Sequence, residues 1–371
     1  MADVGSSIGE RIKAARKRLG ISQNELAARA GIEHRQSVSQ IETGSREVKA
    51  TELSRLSRAL HVSIAELLDA HEPGEPRVCW REQPAAGGEE HEARLLSFCR
   101  AYHSARKALE ESEPRRLPEP DLNPATTQYR DVDKLALEVA GLLKLGARPA
   151  SSLADTLENQ YHFLIWFASL QSGGSAACTR GEHGDAILIN ADEPPWRRNF
   201  DLAHELFHLL TWNTSWGDDR QKKVEPLANR FAAGLLLPAD ELKAALDERC
   251  RGGEVDYADL ISIARDFGVS TEALLWRMHN LSWIKCEDVD SALADDKLRR
   301  LDRVARRGEW QDPPPLPDRY VRTVFFAYAK GLMSRARLAE CLETSLEDLD
   351  DQLARFGIED GDYHQRIACA G

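Results

Sequence analysis

Apolar residues recur at helical spacing along most of the chain, whereas short continuous apolar runs, typical of buried strands, occur only in its middle. Residues 7–70 contain several short amphipathic stretches separated by glycines, such as Gly20 and Gly44, that typically end helices. Ser22 and Glu25 form a capping box, so a helix is predicted to begin at Ser22. The amino-terminal part is therefore predicted to be a small all-α domain.

The pattern divides the remainder of the chain into three parts. After the first domain come two proline-rich stretches, the second at 114–124, with one predicted helix between them at about 91–111. A compact unit then begins near Asp131, with predicted strands at Tyr161–Ala168 and Ala186–Asn190. The predicted fold class is α+β, mostly helical, with these parts: an all-α domain at 1–70, a linker with a helix at 71–130, a compact unit with a small sheet at 131–290, and a C-terminal helical region at 291–371.

Composition narrows the class of protein to an ordinary globular chain. Of its 371 residues, 42% are hydrophobic and 30% are charged, which argues against a mainly disordered chain. No apolar run approaches the ~20 residues that a membrane-spanning helix needs, and no secretory signal is recognised. The seven cysteines are scattered without a C-x-x-C pair, so free thiols in a reducing compartment are expected. We therefore expect a cytoplasmic protein with no membrane partner.

The formal net charge of −12 is unevenly distributed along the chain. Residues 1–70 carry a charge of +2, and the rest of the chain carries −14. An acidic chain does not wrap nucleic acid along its whole length, but a local basic surface at one end remains able to bind it.

The sequence His204-Glu205-Leu206-Phe207-His208 lies inside the apolar run FDLAHELFHLLTW. Residues four apart share one face of a helix, so His204 and His208 can direct both imidazoles at one metal ion. Burial of two histidines and a glutamate is costly unless they are bonded, and a zinc ion supplies bonds to neutral imidazoles. Glu205 is then placed to accept a proton from an attacking water.

A catalytic zinc ion needs a third protein ligand, and Glu225 is the best match in the sequence. It lies 17 residues after His208 at the start of a second apolar stretch, which allows an antiparallel return past the first helix. Pro226 suits a first helical turn, so Glu225 is expected at or near the N-cap. Asp218 and Asp219 in the predicted loop are the alternative ligands.

The paired motifs RRNFDLAHELFHLL and VEPLANRFAAGLLLP resemble the ImmA/IrrE family of bacterial and phage metallopeptidases, over roughly residues 130–290. The resemblance implies a zincin-like domain in which His204, His208 and Glu225 bind Zn2+ and Glu205 is the general base. It also implies cleavage of a transcriptional repressor or another protein substrate. Phe207 and Pro226 depart from the usual residues of the family at their positions.

The segment ISQNELAARAGIEHRQSVSQIETGSREVKATELSRLSRALHVSIAELL resembles an XRE/Cro-type helix-turn-helix domain. The resemblance implies operator DNA as a partner, with the third helix in the major groove. A homodimer is expected, because such domains usually bind paired half-sites. The residues expected at DNA are, for base edges, Arg35, Gln36, Ser37 and Gln40, and, for phosphates, Gln23 and Arg46.

Together these features predict a zinc-dependent metallo-endopeptidase fused to a DNA-binding domain. Two alternatives stay open at the level of sequence. One is a non-catalytic transcriptional regulator whose peptidase-like domain senses metal or a ligand. The other is the protease component of a toxin–antitoxin or phage-defence system. An extended substrate is expected to bind along a strand edge offered by Ala186–Asn190.

Overall fold

The computed structural model describes most of the chain, including both motif regions. The described residues are 8–62, 64–68, 78–120, 122, 126–171, 173–212, 220–250, 254–306 and 312–358.

Five short helices form the amino-terminal domain. Gly20 and Gly44 adopt left-handed conformations with φ of 65° and 71°, and each follows the end of a helix, as predicted. The Ser22–Glu25 capping box is present, with Ser22 as the N-cap of the second helix. The helices are α1 (Ile8–Arg18), α2 (Gln23–Arg29), α3 (Arg35–Glu42), α4 (Ala50–Leu60) and α5 (Ile64–Leu68).

A four-stranded mixed sheet lies at the centre of the remaining chain. Its spatial order is β1-β3-β4-β2, with β1 antiparallel to β3, β3 antiparallel to β4, and β2 parallel to β4. The strands are β1 (Val78–Trp80), β2 (Leu164–Ala168), β3 (Ala176–Gly181) and β4 (Gly184–Asn190).

Helices cover both faces of this sheet because its strands are apolar on both sides. Ile165 and Ile187 point into the larger core, whereas Trp166 and Leu188, one position along each strand, point into a second core on the opposite face. The larger core is formed with α7 (Tyr129–Leu143), α8 (Leu153–Tyr161), α9 (Pro195–Leu210), α10 (Arg220–Leu236), α11 (Ala239–Arg249), α12 (Tyr257–Asp266), α13 (Thr271–Asn280), α14 (Cys286–Ala294) and α15 (Asp296–Ala305). The second core is formed with α6 (Gly88–Ala108), α16 (Asp318–Ala329), α17 (Arg335–Cys341) and α18 (Leu349–Ala354).

The α+β, mostly helical fold class is confirmed, but three local expectations differ from the structure. Residues 78–80, expected in a linker, form edge strand β1, because they pair with β3 about a hundred positions along the chain. The border expected after residue 290 falls inside α14, whose Val289 and Ala292 pack into the larger core. The substrate edge expected along Ala186–Asn190 is wrong, because β4 is paired on both sides and the sheet ends at β1 and β2.

The amino-terminal domain packs directly on α6. Ala93 of that helix is 8% exposed and belongs to the core of the amino-terminal domain. Arg29 pairs with Glu90 at 3.0 Å, and His61 lies 3.6 Å from both Glu90 and Glu343. None of the helices in the described part of the chain combines the length and apolar character needed to cross a bilayer.

Candidate metal centre

Helix α9 carries the His-Glu-x-x-His sequence into the larger core. It packs against β3 and β4, and from Asp201 to Leu210 each of its residues is buried. His204 and Glu205 have no exposed surface, and His208 is 6% exposed. One ligand atom from each of these three residues lies within 4.8 Å of the others. The helix therefore brings both imidazoles and one carboxylate to a single buried point.

Glu225 on α10 completes this cluster. Its Oε2 atom lies 3.0 Å from Nε2 of His204, and its Oε1 atom lies 3.3 Å from Nε2 of His208. The two Nε2 atoms are themselves 3.1 Å apart. Burial raises the pKa of Glu225, but the two imidazoles beside it outweigh this effect, so the pKa is lowered overall and the carboxylate is ionised.

The expected local position of Glu225 is wrong, although the residue does lie beside both histidines. Helix α10 begins at Arg220, so Glu225 lies inside it and does not cap it. Pro226 is likewise inside the helix, where its missing N–H removes one backbone hydrogen bond. The alternative ligands Asp218 and Asp219 lie outside the described residues.

The donor atoms fit a zinc ion by chemistry and by spacing. Ligand atoms ~2.0–2.1 Å from a tetrahedral zinc ion stand about 3.3 Å from one another. The three separations among His204, His208 and Glu225 are 3.0, 3.1 and 3.3 Å. Burial lowers the pKa of His204 to about 4, so its ring is neutral, which is the form that binds a metal. Two imidazoles and a carboxylate are the ligands of the His2Glu class of catalytic zinc sites.

Glu205 is a buried carboxylate whose oxygens have no hydrogen-bond partner of normal geometry among the described residues. Burial raises its pKa to about 7, against opposing effects of His208 and of the Cys178 thiol on β3. An unpartnered buried carboxylate is costly, so a structure retains one only where something offsets the cost. A cation held by the adjacent histidines offers that compensation.

Three further residues at the site were not predicted from the sequence. Asn229 lies one turn after Glu225 on α10, and its Oδ1 is 3.0 Å from Nδ1 of His204. Arg81, directly after β1, donates to the same Oδ1 at 3.2 Å and pairs with the fully buried Asp201. The i, i+4 spacing of Glu225 and Asn229 was available as a signal, but nothing local to Arg81 points to α9.

Phe207, the bulky residue of the motif, packs beside a metal ligand, with its ring centroid 6.3 Å from that of His208. It is fully buried in the larger core, and its ring centroid lies 5.4 Å from that of Phe231 on α10. The side chain therefore holds α9 against α10 and does not fill the space between His204, His208 and Glu225.

The third helix of the amino-terminal domain has the division of faces that DNA recognition needs. Val38 and Ile41 are buried in the domain core, whereas Arg35, Gln36 and Gln40 are exposed. Ser37, also expected at base edges, is half-buried. Helix α3 thus presents a polar outer face.

The two residues expected at phosphates are held by partners within the domain. Gln23 donates to Glu42 at 2.9 Å and accepts from Arg35 at 3.3 Å. Arg46 pairs with Glu52 at 2.7 Å and is half-buried. Gln23 therefore lies beside the polar face of α3, whereas Arg46 is engaged inside the domain.

Two family models match this chain. The helix-turn-helix model matches residues 12–67, and the model of the IrrE N-terminal-like domain, a peptidase family, matches residues 164–279. A comparison with curated proteins finds no match. The family matches confirm the predicted architecture, in which an XRE-type helix-turn-helix domain precedes an ImmA/IrrE-like peptidase domain.

Proposed function

We propose that this protein is a zinc-dependent endopeptidase joined to a DNA-binding domain, and that it controls gene expression by cleaving a repressor or another partner protein. The observation that carries the proposal is the meeting of His204, His208 and Glu225 beside the unpartnered carboxylate of Glu205. The match to a peptidase family over residues 164–279 supports it.

His204, His208 and Glu225 would hold the zinc ion, with His204 oriented by Asn229. When bound in such a site, zinc activates water for attack and polarises the scissile carbonyl. The side-chain exposure of Glu225, 29%, marks the side from which a substrate can approach, because His204 is closed to solvent. The other ligands then remain shielded while one face of the site stays open.

Glu205 would act as the general base and then as the general acid. Its carboxylate takes a proton from the attacking water and passes it to the leaving amine. A general base works best when its pKa lies near the operating pH, and burial supports this by raising the pKa of Glu205 to about 7.

The substrate would be a protein segment in extended conformation. The edge strand β1 is the candidate, because Arg81, directly after it, contacts Asn229 beside His204. Main-chain hydrogen bonds to a sheet edge bind extended peptides with little sequence preference, so side-chain pockets would set specificity. The helix-turn-helix domain would bind operator DNA, as a homodimer on paired half-sites, in the cytoplasm.

The test is cleavage of a proteome-derived peptide library by the full chain loaded with zinc, beside Glu205→Gln. We expect new amino termini with wild type and a rate lower by a factor of ~10²–10⁴ with the variant. Glu205→Gln keeps the shape of the side chain and all three ligands, so it controls for metal loss. Equal cleavage by both proteins would remove Glu205 from the mechanism.

A second function is supported by the packing of the amino-terminal domain on α6. Contacts such as Arg29–Glu90 at 3.0 Å hold the DNA-binding domain on α6, which covers one face of the sheet. A regulator that senses metal without turnover would use such contacts. In that case DNA binding responds to zinc in wild type and in Glu205→Gln alike, while no peptide bond is cut.

A further inference from the structure

A chain of hydrogen bonds runs from outside the matched peptidase region to the ring of His204. Arg81 follows β1 and therefore lies before residues 164–279. Its side chain is 14% exposed, and its guanidinium contacts both Asp201 on α9 and Oδ1 of Asn229 on α10. The same Oδ1 lies 3.0 Å from Nδ1 of His204.

The donor and acceptor roles in this series of hydrogen bonds follow from the chemistry of Arg81. A guanidinium has only donors, so the Asn229 atom that Arg81 meets must be the amide oxygen. That oxygen only accepts, so Nδ1 of His204 must carry the proton. The lone pair of His204 is therefore on Nε2, the nitrogen that faces Glu225 at 3.0 Å.

We propose that Arg81 is a positioning residue of the metal site, which fixes the amide of Asn229 and thereby the metal-binding tautomer of His204. This inference rests on the proposed function in assuming that His204 is a ligand. Asn229 lies at the exposed rim of the site, so packing does not hold its amide and hydrogen bonds must. Without Arg81, the amide can turn its NH2 group toward Nδ1, which favours a proton on Nε2 and so weakens metal binding.

The alternative is that Arg81 only neutralises the buried Asp201. Asp201 also lies 3.3 Å from Arg197, so it keeps one cationic neighbour when Arg81 is removed. The two roles predict different effects of Arg81→Met on zinc affinity when Asn229 is replaced by Asp. A carboxylate has two acceptor oxygens and cannot present a donor to His204, so it fixes the tautomer without help from Arg81.

The experiment measures zinc affinity of the full chain by competition with a chelator, for Arg81→Met in the wild-type and in the Asn229→Asp background. We expect Arg81→Met to weaken zinc binding ~10–100-fold in the wild-type background, as loss of such supporting bonds typically does. In the Asn229→Asp background the loss should be at most a few-fold. Arg94→Met is the control, since Arg94 pairs with Glu343 on the opposite side of the sheet and should leave affinity unchanged.

A second readout reports the tautomer itself. The imidazole ¹⁵N shifts of His204 are measured in the zinc-free protein in a Glu225→Ala background, so that no carboxylate faces Nε2. They should show a proton on Nδ1 when Arg81 is present and a shift toward Nε2 in Arg81→Met. The double variant Arg81→Met/Asp201→Asn removes the buried charge and serves if Arg81→Met alone folds poorly. Equal losses of affinity in both backgrounds, or an unchanged tautomer, would overturn the role of Arg81 alone. A wild-type chain that binds no zinc would overturn the metal site and this inference together.

Discussion

Gly9 on α1 lies where two helices of the DNA-binding domain come closest. A Cβ atom at this position would stand 2.1 Å from the backbone oxygen of Ile41 on α3, and backbone atoms cannot move aside cheaply. Gly141 on α7 offers the opposite case, because nothing lies within 4 Å of a Cβ atom there and the residue is exposed. Space at a single Cβ position thus separates a required glycine from a replaceable one.

Gly9→Ala should destabilise the DNA-binding domain by about 1–3 kcal/mol, because α1 must move away from α3. Gly141→Ala should stabilise the chain by about 0.5–1 kcal/mol, since alanine loses less conformational freedom in a helix. Thermal unfolding of both variants checks the opposite signs. A neutral Gly9→Ala would show that the two helices are not held this close.

His162 is a second residue whose surroundings set its behaviour. It ends α8 in a left-handed conformation with φ of 56°, and its Nδ1 is buried without a hydrogen-bond partner among the described residues. Burial, together with the nearby Arg106 and Arg319, lowers its pKa from 6.5 to about 4. The ring is therefore held in its neutral form.

Because the unfolded chain binds a proton at His162 more readily than the folded one, this residue should reduce stability as the pH falls from about 6.5 to about 4. Asn tolerates the left-handed conformation and does not titrate, so His162→Asn should flatten this dependence by up to about one proton. Thermal midpoints of both proteins between pH 7 and pH 4 test this. Parallel curves would contradict it.

At the level of elements, the sequence predicted what short-range signals determine. The capping box of α2, the glycine-ended helices and the His-Glu-x-x-His face of α9 all depend on residues within one or two turns. Strands β1 and β3 were not predicted, because VCW is short and AACTRG lacks clear alternation of apolar and polar residues. Both strands form through pairing with residues that are distant in sequence. Arg81 was not predicted for the same reason, since its partners Asp201 and Asn229 are remote in sequence.

Helix α3 is predicted to recognise the bases of DNA. Gln36→Ala and Gln40→Ala should each cost about 1–3 kcal/mol of binding to DNA selected from a random pool, because both side chains lie on the exposed face. Arg58→Ala is the control, since Arg58 is exposed on α4 beside a cavity of 290 Å³ shared with α6. Binding is compared at one fixed salt concentration. Unchanged binding in both Gln variants together with a loss in Arg58→Ala would indicate general electrostatic attraction, and equal losses for all three variants would contradict a specific role of α3.

The whole molecule places its two motifs on opposite sides of one sheet. The metal-site helices α9 and α10 lie in the larger core, whereas the DNA-binding domain rests on α6, which covers the other face. Strand β1 belongs to the sheet between them and leads directly into Arg81 at the metal site. Any signal between DNA and the site must therefore pass through or around this sheet.

Ala93→Glu should separate the DNA-binding domain from α6, because a larger, charged side chain does not fit the apolar contact that Ala93 makes with the core of that domain. The radius of gyration from small-angle scattering should increase, while binding of the selected DNA is retained. Ser104→Glu on the exposed side of the same helix is the control and should change neither. An unchanged radius for Ala93→Glu would show that this contact does not hold the domains together.

Metal content tests the central claim most directly. The purified full chain, produced with zinc in the medium, should contain about one zinc ion per chain in wild type and in Glu205→Gln. His204→Ala and Glu225→Ala should each lose it, because each removes one of three protein ligands. Zinc retained at full content in Glu225→Ala would move the third ligand elsewhere, and a wild-type chain without bound metal would contradict the metal centre itself.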